Sequence, residues 1–502
     1  MKNTKHPNAR AKMVFSKVSL NFFLTFIMKS FIIICLLLTC SLLKGDKPNI
    51  VIFLADDLGY GSINAYGASK EFVYTPNLNQ LAQEGMLFRD GYATGSVCSP
   101  TRYALLTGRY SWRTDLKAGV VSKNDPMLIA PGTKTIASYL REQGYRTAAI
   151  GKWHLGYREE RFKNLLGTIE YGPLQVGFDY HFGVPNNLDD THKVYIENDH
   201  IYGLRSDEIE PYGPSSYGGK PYVGYDAEQR KTAEVMDVTL DRAIDWIDQE
   251  SDQPFFLYFG AVAVHNPIVP SKHMKGKSGS GLYGDFIQDV DRVAGRLIEA
   301  LEARGLTENT LFIFTSDNGG DILKRPGTPQ HIAYDMGFNF NGPIRGDKAT
   351  IYDGGLKVPF IVKWPKKIKG CQTTNALVST VDLFATFADI VNGEVPPADE
   401  AAPDSFSFWS VLQDPSAQTL RSHLVNRDAN GVHAFSHDQW KYIEGIPAAG
   451  GNPMKRGKVE EALYNIEQDP EEQHNLIQKY PEVALNAKAR LVNLRETPTS
   501  RP

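Results

Sequence analysis

Cysteine is scarce in this chain, which has only 4 among its 502 residues. Cys35 and Cys40 lie in an apolar N-terminal stretch, so its removal would leave only Cys98 and Cys371. An exported protein of this size usually carries several disulfides or avoids cysteine. The two remaining cysteines could pair, but Cys371 lies in a polar turn that gives no sign of a partner for Cys98. A framework of several disulfides is therefore excluded, and Cys98 needs another explanation.

Long apolar runs are also lacking. The run from Phe31 to Leu43 follows Lys29 and is shorter than the roughly 20 apolar residues of a membrane-spanning helix. This pattern is typical of a secretory signal, with a single-span anchor as the alternative. We therefore predict a signal peptide or N-terminal extension over residues 1–46, and export to the periplasm or the extracellular space. Cys40 ends a segment that loosely resembles a bacterial lipoprotein box, so a lipid anchor at Cys40 is a further hypothesis.

Positive charge is not concentrated anywhere in the sequence. The chain has 54 Lys and Arg against 58 Asp and Glu, and its formal net charge is −4. A nucleic-acid partner would require a basic face, so nucleic acid is not expected as a ligand. Hydrophobic residues make up 42% of the chain and charged residues 22%, which is typical of a globular protein with a large core.

Apolar runs that predict buried strands alternate with helical stretches between residues 47 and 418. The predicted strands are Pro48–Leu54, Tyr145–Gly151, Pro254–Val264, Thr310–Ser316 and Val358–Pro365. The predicted helices are Pro76–Gly85, Thr133–Gly144, Glu228–Gln249, Tyr283–Gly305 and Ser379–Gly393. This alternation indicates an α/β domain whose mostly parallel sheet is sandwiched by helices. The weakly periodic region 157–226 is predicted to be a long insertion beside the sheet.

The pattern changes in the last part of the chain. Beyond residue 419 the predicted strands are short and half-polar, and a helix over Pro481–Leu494 follows them. We therefore predict a smaller C-terminal α+β subdomain, residues 419–502, with an antiparallel sheet.

Polar residues follow several of the predicted strands, at the edge where ligands bind in parallel sheets. These residues are Asp56, Asp57, Lys152, His154, His265, Asp317 and Asn318. The carboxylate and amide oxygens among them suit Ca²⁺ or Mg²⁺ better than Zn²⁺. The basic members, together with Lys348 in a glycine-containing segment, add positive charge. A cation beside several basic side chains predicts a site for an anionic group.

Cys98 lies at the start of a predicted helix. Ser99 fits the N-cap, Pro100 fits the first helical position, and Gly108 fits the position that ends the helix. The free N–H groups there favour an anion, and Arg102 would point back to the same place after one turn. A cysteine nucleophile is conceivable at this position.

The segment Cys98–Arg102, followed by Leu105–Arg109, resembles the signature of the type I sulfatases. Further matching segments are Asp56–Asp57, Gly151–Gly156, Thr315–Gly319, Gly354–Gly355, Val358–Pro359, Trp440–Lys441 and Leu463–Asn465. The resemblance extends over residues 47–480 in the family order, and it is closest to bacterial exported sulfatases of the N-acetylgalactosamine-6-sulfatase branch. It implies an alkaline-phosphatase-like fold and hydrolysis of sulfate esters.

The resemblance also implies what Cys98 does. In this family the cysteine is oxidised to formylglycine (3-oxoalanine) by a formylglycine-generating or a radical-type maturing enzyme. Its hydrate, a geminal diol, attacks the sulfate sulfur and gives a covalent sulfoenzyme intermediate. One Ca²⁺ ion, with Mg²⁺ as the alternative, is held by the modified Cys98 together with Asp56, Asp57, Asp317 and Asn318.

The remaining catalytic roles come from the same resemblance. Arg102 and Lys152 stabilise the diol, while His265 and Lys348 bind the sulfate. His265 is the expected proton donor to the leaving alcohol, and His154 is expected to deprotonate the second hydroxyl.

The expected substrate is an O-sulfated sugar of a sulfated polysaccharide or glycosaminoglycan. The polar residues predicted to contact that sugar are Asn186, Asn187, Asp189, Asp190, His192 and His331. Two other functions remain open at this point. One is a promiscuous phosphodiester or phosphonate monoester hydrolase of the same superfamily, and the other is a non-catalytic protein that binds sulfated glycans.

Overall fold

The computed structural model of this chain describes residues 1, 47–216, 219–322, 325–445 and 459–501. The predicted export segment, with Cys40, therefore falls outside the described residues except for Met1, and it stays a prediction. Within the described ranges, no helix combines the length and the apolar character needed to cross a bilayer. Residues from Pro48 onward cluster as one compact unit, so the predicted boundary between residues 418 and 419 also stays a prediction.

The described strands are short except near the centre of the main sheet. From β1 to β18 they are Asn49–Ala55, Met86–Phe88, Gly91–Tyr92, Arg146–Lys152, Tyr180–Val184, Ile196–Glu197, His200–Ile201, Tyr212–Pro214, Pro221–Tyr222, Phe255–Gly260, Thr310–Ser316, Phe360–Lys363, Gln372–Thr374, Val378–Ser379, Leu424–Arg427, His433–His437, Trp440–Ile443 and Ala462–Asn465.

The described α-helices connect these strands. From α1 to α10 they are Pro76–Glu84, Cys98–Thr107, Ile136–Glu142, Val235–Ile247, Gly281–Ala303, Pro329–Asp335, Asp353–Leu356, Leu383–Asn392, Trp409–Gln413 and Pro481–Glu496.

The main sheet is mixed and mostly parallel, as the sequence predicted. Its strand order is β13-β2-β12-β11-β1-β10-β4-β5-β6-β7, and the central strands from β11 to β5 all pair in parallel. Every β1 side chain after Asn49 is buried because both faces of the sheet are covered. Ile50, Ile52 and Leu54 pack into one core cluster, and Val51 and Phe53 pack into the other.

Helices cover the two faces of this sheet in separate layers. Side chains of α4 and α5 enter the cluster that contains Val51. Side chains of α2, α3 and α8 enter the cluster that contains Ile50. A buried two-sided sheet explains why the strands read as nearly continuous apolar runs.

Several predicted elements are longer than the observed ones, and the contacts of two of them show why. The predicted helix Glu228–Gln249 is wrong at its start, because α4 begins only at Val235 after a 3₁₀ turn. Arg230 instead donates hydrogen bonds to backbone carbonyls of the insertion, so this segment leaves the helical path. The predicted strand Pro254–Val264 ends at Gly260, and the next residues stay bonded to the end of β1, with the Ala261 N–H donating to the Leu54 carbonyl at 2.9 Å.

The C-terminal sheet is antiparallel, as predicted, with the order β15-β16-β17-β18. Helix α10 packs on it through Ala484, Ala487 and Leu491, which are buried with side chains of the sheet. This sheet also contacts the main body, because Gly95 forms a parallel bridge with Arg427 at the end of β15.

Candidate active site at the carboxyl edge of the sheet

The four central parallel strands bring the predicted site residues to one edge. Strands β11, β1, β10 and β4 are neighbours in that order, so their carboxyl ends lie side by side. Asp317 follows β11, Asp56 follows β1 and Lys152 ends β4. All three residues are fully buried. The strand-end pattern in the sequence therefore located a real cluster.

Asp56, Asp57, Cys98 and Asp317 form a compact cluster of acidic and thiol groups. One ligand atom from each lies within 4.8 Å of the others. The Cys98 Sγ is 3.5 Å from Asp56 Oδ1 and 4.0 Å from Asp57 Oδ1. Burial and the neighbouring Asp56 raise the pKa of Asp317 to about 6, against the opposing charge of Arg102. The crowded carboxylates favour a bound cation, which would relieve their repulsion.

Asn318 completes a ligand set for such a cation. Its Nδ2 donates to Asp57 Oδ1 at 2.8 Å and to the Gly319 carbonyl at 2.9 Å. Its Oδ1 is buried and has no hydrogen-bond partner among the described residues. An unsatisfied buried oxygen beside three carboxylates is the donor chemistry that Ca²⁺ or Mg²⁺ prefers. The residues present therefore fit a hard divalent cation.

Ser316 shapes this ligand set, although the sequence analysis did not identify it. Its Oγ accepts a hydrogen bond from the Leu58 backbone N–H at 3.0 Å and donates to the Asn318 carbonyl at 3.0 Å. Asp57 adopts a left-handed backbone with φ of 59°, which asparagine and aspartate tolerate better than most residues. Only the pairing of β1 with β11 brings Ser316 and Leu58 together, so no local signal could have revealed it.

The helix that carries Cys98 begins two residues earlier than predicted, because the first helical residue is Cys98 and not Pro100. Helix α2 starts at Cys98 itself, with Val97 at the N-cap and no side-chain cap, so the assignment of Ser99 as N-cap is wrong. The Ser99 hydroxyl instead donates to the His154 carbonyl at 2.9 Å and accepts from the Val121 N–H at 3.1 Å. Gly108 ends the helix in a left-handed conformation, as predicted. Ser99 therefore joins α2 to the end of β4.

Arg102 occupies the place that its helical position predicted. Its fully buried guanidinium donates from Nε (3.0 Å) and Nη2 (2.8 Å) to Asp317 Oδ2. Its Nη1 donates to the Lys152 carbonyl at 3.0 Å and to the Tyr258 hydroxyl at 3.3 Å. Tyr258 is a site neighbour that sequence reasoning missed, since it lies within an apolar strand.

Lys152 links the cluster to the insertion. Its Nζ donates to Asp56 Oδ2 at 2.6 Å and to Asn187 Oδ1 at 2.7 Å, and it lies 3.6 Å from Cys98 Sγ. The lysine is fully buried and faces two acceptors, which hold its charge in place. Burial and the nearby Asp317 raise the pKa of the Cys98 thiol well above its usual value, although Lys152 opposes this. An unmodified Cys98 is therefore a poor thiolate nucleophile.

Lys348 and His265 both face the same carboxylate oxygen of Asp57. Lys348 Nζ donates to Asp57 Oδ2 at 2.6 Å, and His265 Nε2 is 3.9 Å from the same oxygen. Burial and the charge of Lys348 lower the pKa of His265 to about 3, so the ring is neutral at neutral pH. His265 Nδ1 donates to the Asn266 carbonyl at 2.6 Å, which leaves Nε2 as the atom facing the site.

His154 is held with one ring nitrogen free. Its Nε2 donates to the Val121 carbonyl at 3.1 Å, and its buried Nδ1 has no partner within the part of the chain that the structure describes. Burial and the positive charge of Lys152 lower its pKa well below the usual value. A neutral imidazole with an unprotonated Nδ1 is a competent proton acceptor.

The insertion residues predicted to bind a sugar fall into two groups. Asp189 accepts from the Tyr222 hydroxyl at 2.8 Å and from the Ser216 N–H at 3.1 Å. His192 pairs with the Tyr225 hydroxyl at 2.8 Å and with Asn124 Oδ1 at 3.1 Å. These side chains thus bond mainly within the insertion and to the segment beside it.

The second group retains unsatisfied polar atoms. Asn186 Oδ1 and Asp190 Oδ2 are buried, and no described residue offers either of them a hydrogen bond. Asn187 contacts Lys152 directly, so it borders the catalytic cluster. Its Oδ1 faces an ammonium donor, which directs the Nδ2 donor to the opposite side of the amide.

His331 and Cys371 lie elsewhere. His331 is on α6, with its Nε2 3.3 Å from the Asp335 carboxylate one turn along the same helix. Cys371 is exposed and Cys98 is buried, and both thiols are free, so the alternative of a disulfide between them is wrong. The two cysteines have separate environments, because Cys371 borders an outer cavity lined by α1 residues.

Comparisons with known proteins find a matching family model and similar sequences. The sulfatase family model matches residues 48–393 of the chain. An N-acetylgalactosamine-6-O-sulfatase of Bacteroides thetaiotaomicron is 34% identical over 475 residues, covering 88% of this chain and 91% of that protein. An N-acetylgalactosamine-6-sulfatase of Rattus norvegicus is 34% identical over 398 residues, covering 76% of this chain and 67% of that protein.

A solved structure is similar over nearly the same extent. It is described as "Metabolism of multiple glycosaminoglycans by bacteroides thetaiotaomicron is orchestrated by a versatile core genetic locus". Its TM-score is 0.82 at 32% identity, covering 90% of this chain and 100% of that one.

Proposed function

Because this chain belongs to the sulfatase family, and is thus a sulfuric ester hydrolase, we propose that it removes O-sulfate groups from the sugars of a glycosaminoglycan or related polysaccharide. The first substrate to test is N-acetylgalactosamine 6-sulfate, for which the relatives from Bacteroides thetaiotaomicron and Rattus norvegicus are named. The observation that carries the proposal is the convergence of Cys98, three carboxylates and two lysines at one buried sheet edge.

We further propose that Cys98 is oxidised to formylglycine and that a single Ca²⁺ ion binds beside it. When present, the hydrated aldehyde supplies a nucleophilic hydroxyl and the cation lowers the cost of negative charge there. The proposed holders of the cation are residue 98, Asp56, Asp57, Asp317 and Asn318. Supporting this, the Asn318 Oδ1 is unsatisfied and the thiol of Cys98 is free.

The basic side chains would bind and orient the sulfate group. Lys152 and Lys348 each donate to a different aspartate, so two ammonium groups flank the carboxylate cluster from opposite sides. Arg102 holds Asp317 through two hydrogen bonds and neutralises it. This arrangement would place an anionic sulfate between fixed positive charges without reorganisation, which is the main source of catalytic stabilisation in such sites.

Two histidines would move protons at opposite stages. His154 has an unprotonated Nδ1, so it would take the proton from the hydroxyl that releases sulfate. His265 is neutral in the free protein, and an arriving anion beside Nε2 would favour its protonation. Protonated His265 would then donate to the departing sugar oxygen, as a general acid.

The experiment compares a 6-sulfated N-acetylgalactosamine oligosaccharide with a matched phosphodiester, while mass spectrometry measures the peptide that contains Cys98. We expect faster sulfate release and a peptide mass lower than that of unmodified cysteine. Dominant phosphodiester hydrolysis would replace the proposed substrate class. Unmodified cysteine in protein from the native host, without any hydrolysis, would support a silent glycan-binding protein.

A further inference from the structure

Lys441 belongs to one of the matching segments, Trp440–Lys441, but it is on the C-terminal sheet and touches none of the site residues described above. It lies on β17 and is 1% exposed. Its Nζ is 2.6 Å from Asp353 Oδ1 and 2.7 Å from Glu472 Oε1. A buried lysine between two buried carboxylates is costly to assemble, so its position calls for an explanation.

Asp353 is the first residue of the short helix α7, and every polar atom of its carboxylate is used. Its Oδ1 accepts from Lys441, and its Oδ2 accepts from the Tyr92 hydroxyl at 2.8 Å. Its backbone N–H donates to Glu472 Oε2 at 2.8 Å. Glu472 therefore holds both the helix start and the lysine that pairs with it.

Helix α7 is in turn built into the catalytic edge. The Gly319 N–H, next to Asn318, donates to the Gly355 carbonyl at 3.0 Å. A Cβ placed on Gly319 would lie 1.9 Å from the Gly354 carbonyl oxygen. A Cβ on Gly354 would lie 2.2 Å from the Gly346 carbonyl oxygen. These backbones touch, so a displacement of α7 would be passed directly to its neighbours.

The loop that carries Lys348 is tied to the C-terminal part at both ends. At one end, Asp353 is held by Lys441 and Glu472, and the N–H of the next residue, Gly354, donates to the Arg345 carbonyl at 2.7 Å. At the other, Arg345 Nη1 donates to the Glu472 carbonyl at 2.6 Å and to the Tyr464 hydroxyl at 3.2 Å. Lys348 lies between these two attachment points, and its backbone N–H donates to the Gly320 carbonyl at 3.0 Å.

We propose that Lys441 and Glu472 are positioning residues for sulfate hydrolysis. They fix Asp353 at the start of α7, and through α7 they set the places of Lys348 and Asn318. The C-terminal sheet is then part of the catalytic machinery. This inference rests on the proposed function, and it adds residues that contact neither the sulfate nor the cation.

The test uses Lys441→Met and Glu472→Gln in the full chain. Lys488→Met is the matched control, because Lys488 pairs with Glu461 in the same C-terminal part but is 54% exposed. Both buried variants should lose roughly 10- to 100-fold in kcat/KM, the range typical of groups that orient metal ligands. They should also require more Ca²⁺ for half-maximal activity, whereas Lys488→Met should match the wild type. Lys441→Arg, which keeps the charge, should recover part of the loss.

A second measurement does not depend on activity. Amide hydrogen exchange should accelerate in residues 345–356 of the two buried variants and stay unchanged in α2. Folded variants with wild-type kcat/KM, or exchange that accelerates equally throughout the chain, would overturn the positioning role. A wild-type protein that hydrolyses no sulfate ester would disprove the proposed function, and the exchange pattern would still decide whether Lys441 and Glu472 hold this loop.

Discussion

The two sides of the candidate site differ in how their polar residues are used. In the buried cluster around Cys98, here called the sulfate side, the charged residues bond to each other, as Lys152 does with Asp56 and Lys348 with Asp57. On the sugar side, Asp189 and His192 bond mainly within the insertion. A polar residue at the end of a parallel strand thus indicates chemistry, whereas the same residue type in a long insertion often stabilises the insertion itself.

Unsatisfied polar atoms sharpen this contrast. On the sulfate side they belong to Asn318 and His154, and on the sugar side to Asn186 and Asp190. Buried polar atoms without partners are few in native proteins, so each one calls for an explanation, and beside a candidate site an open ligand position is one such explanation. Asn186 and Asp190 are therefore stronger candidates for substrate recognition than Asp189 and His192.

The largest expected effect is on the sulfate side. Cys98→Ala should lower hydrolysis by at least roughly 10³-fold, because it removes the reacting group. The fold should survive, since the substitution removes one buried sulfur atom from a closely packed helix start. Sulfate release and the melting temperature measure the two outcomes. The control is Cys371→Ala, at the exposed free cysteine, which should change neither the sulfate release nor the melting temperature. If Cys98→Ala kept activity within tenfold of the wild type, the mechanism would be contradicted.

Removing the divalent cation should have the next largest effect. A chelator should suppress activity, and Ca²⁺ at 100 times its Kd should stabilise the folded protein by about 2.7 kcal/mol. Asn318→Ala should weaken this stabilisation, because it deletes the unsatisfied Oδ1. Thermal melting with and without Ca²⁺ measures the effect. An identical melting temperature in chelator and in saturating Ca²⁺ or Mg²⁺ would argue against a cation at this edge.

His265→Ala should separate substrates by their leaving groups. Sugar sulfates leave as poor alkoxides and need a proton, so their kcat should fall by roughly 10²-fold or more. Activated aryl sulfates need less protonation and should lose much less. Parallel kinetics with both substrates provide the measurement. Equal losses on both would exclude the role of proton donor.

The sugar side should respond according to which polar atoms are free. Asn186→Ala should raise KM for the sugar sulfate by about tenfold, the loss of one hydrogen bond worth roughly 1.4 kcal/mol, with little change in stability. Asp189→Asn should instead lower stability by about 1 kcal/mol and leave KM unchanged, because its partners are Tyr222 and Ser216. The opposite pattern would reverse our division of the insertion residues.

The smallest effect is a pH dependence within the insertion. Burial raises the pKa of Asp190 from 3.8 to about 6, although Arg230 opposes this. The folded protein therefore holds this proton where the unfolded chain has lost it, so stability contributed by Asp190 falls as pH rises from about 4 to 6. Asp190→Asn should flatten that slope in denaturant unfolding experiments. Asp189→Asn is the control. The pKa of Asp189 is lowered, so any pH dependence of stability that Asp189 contributes lies below pH 4. An unchanged slope would place Asp190 in contact with solvent.

Much of the fold followed from local patterns, and the exceptions have physical causes. The central strands and α5 appear near their predicted positions, because continuous apolar runs and three- to four-residue periodicity specify burial directly. Helix α4 begins late because Arg230 is used by carbonyls of the insertion, including that of His192. Ser99 fails as an N-cap because its hydroxyl bonds to His154 and Val121. Hydrogen bonds between residues this far apart in the sequence produce no local sequence pattern that could predict them.

The sequence by itself determined that the residues following the central parallel strands meet at the catalytic edge. Parallel strands alternating with helices force their carboxyl ends together, so residues placed after those strands converge whatever the rest of the chain does. Only the tertiary structure decided which polar side chains remain unsatisfied and how Lys441 and Glu472 reach Asp353. Those outcomes depend on which atoms come within hydrogen-bonding distance after packing, and residue type alone does not encode that distance.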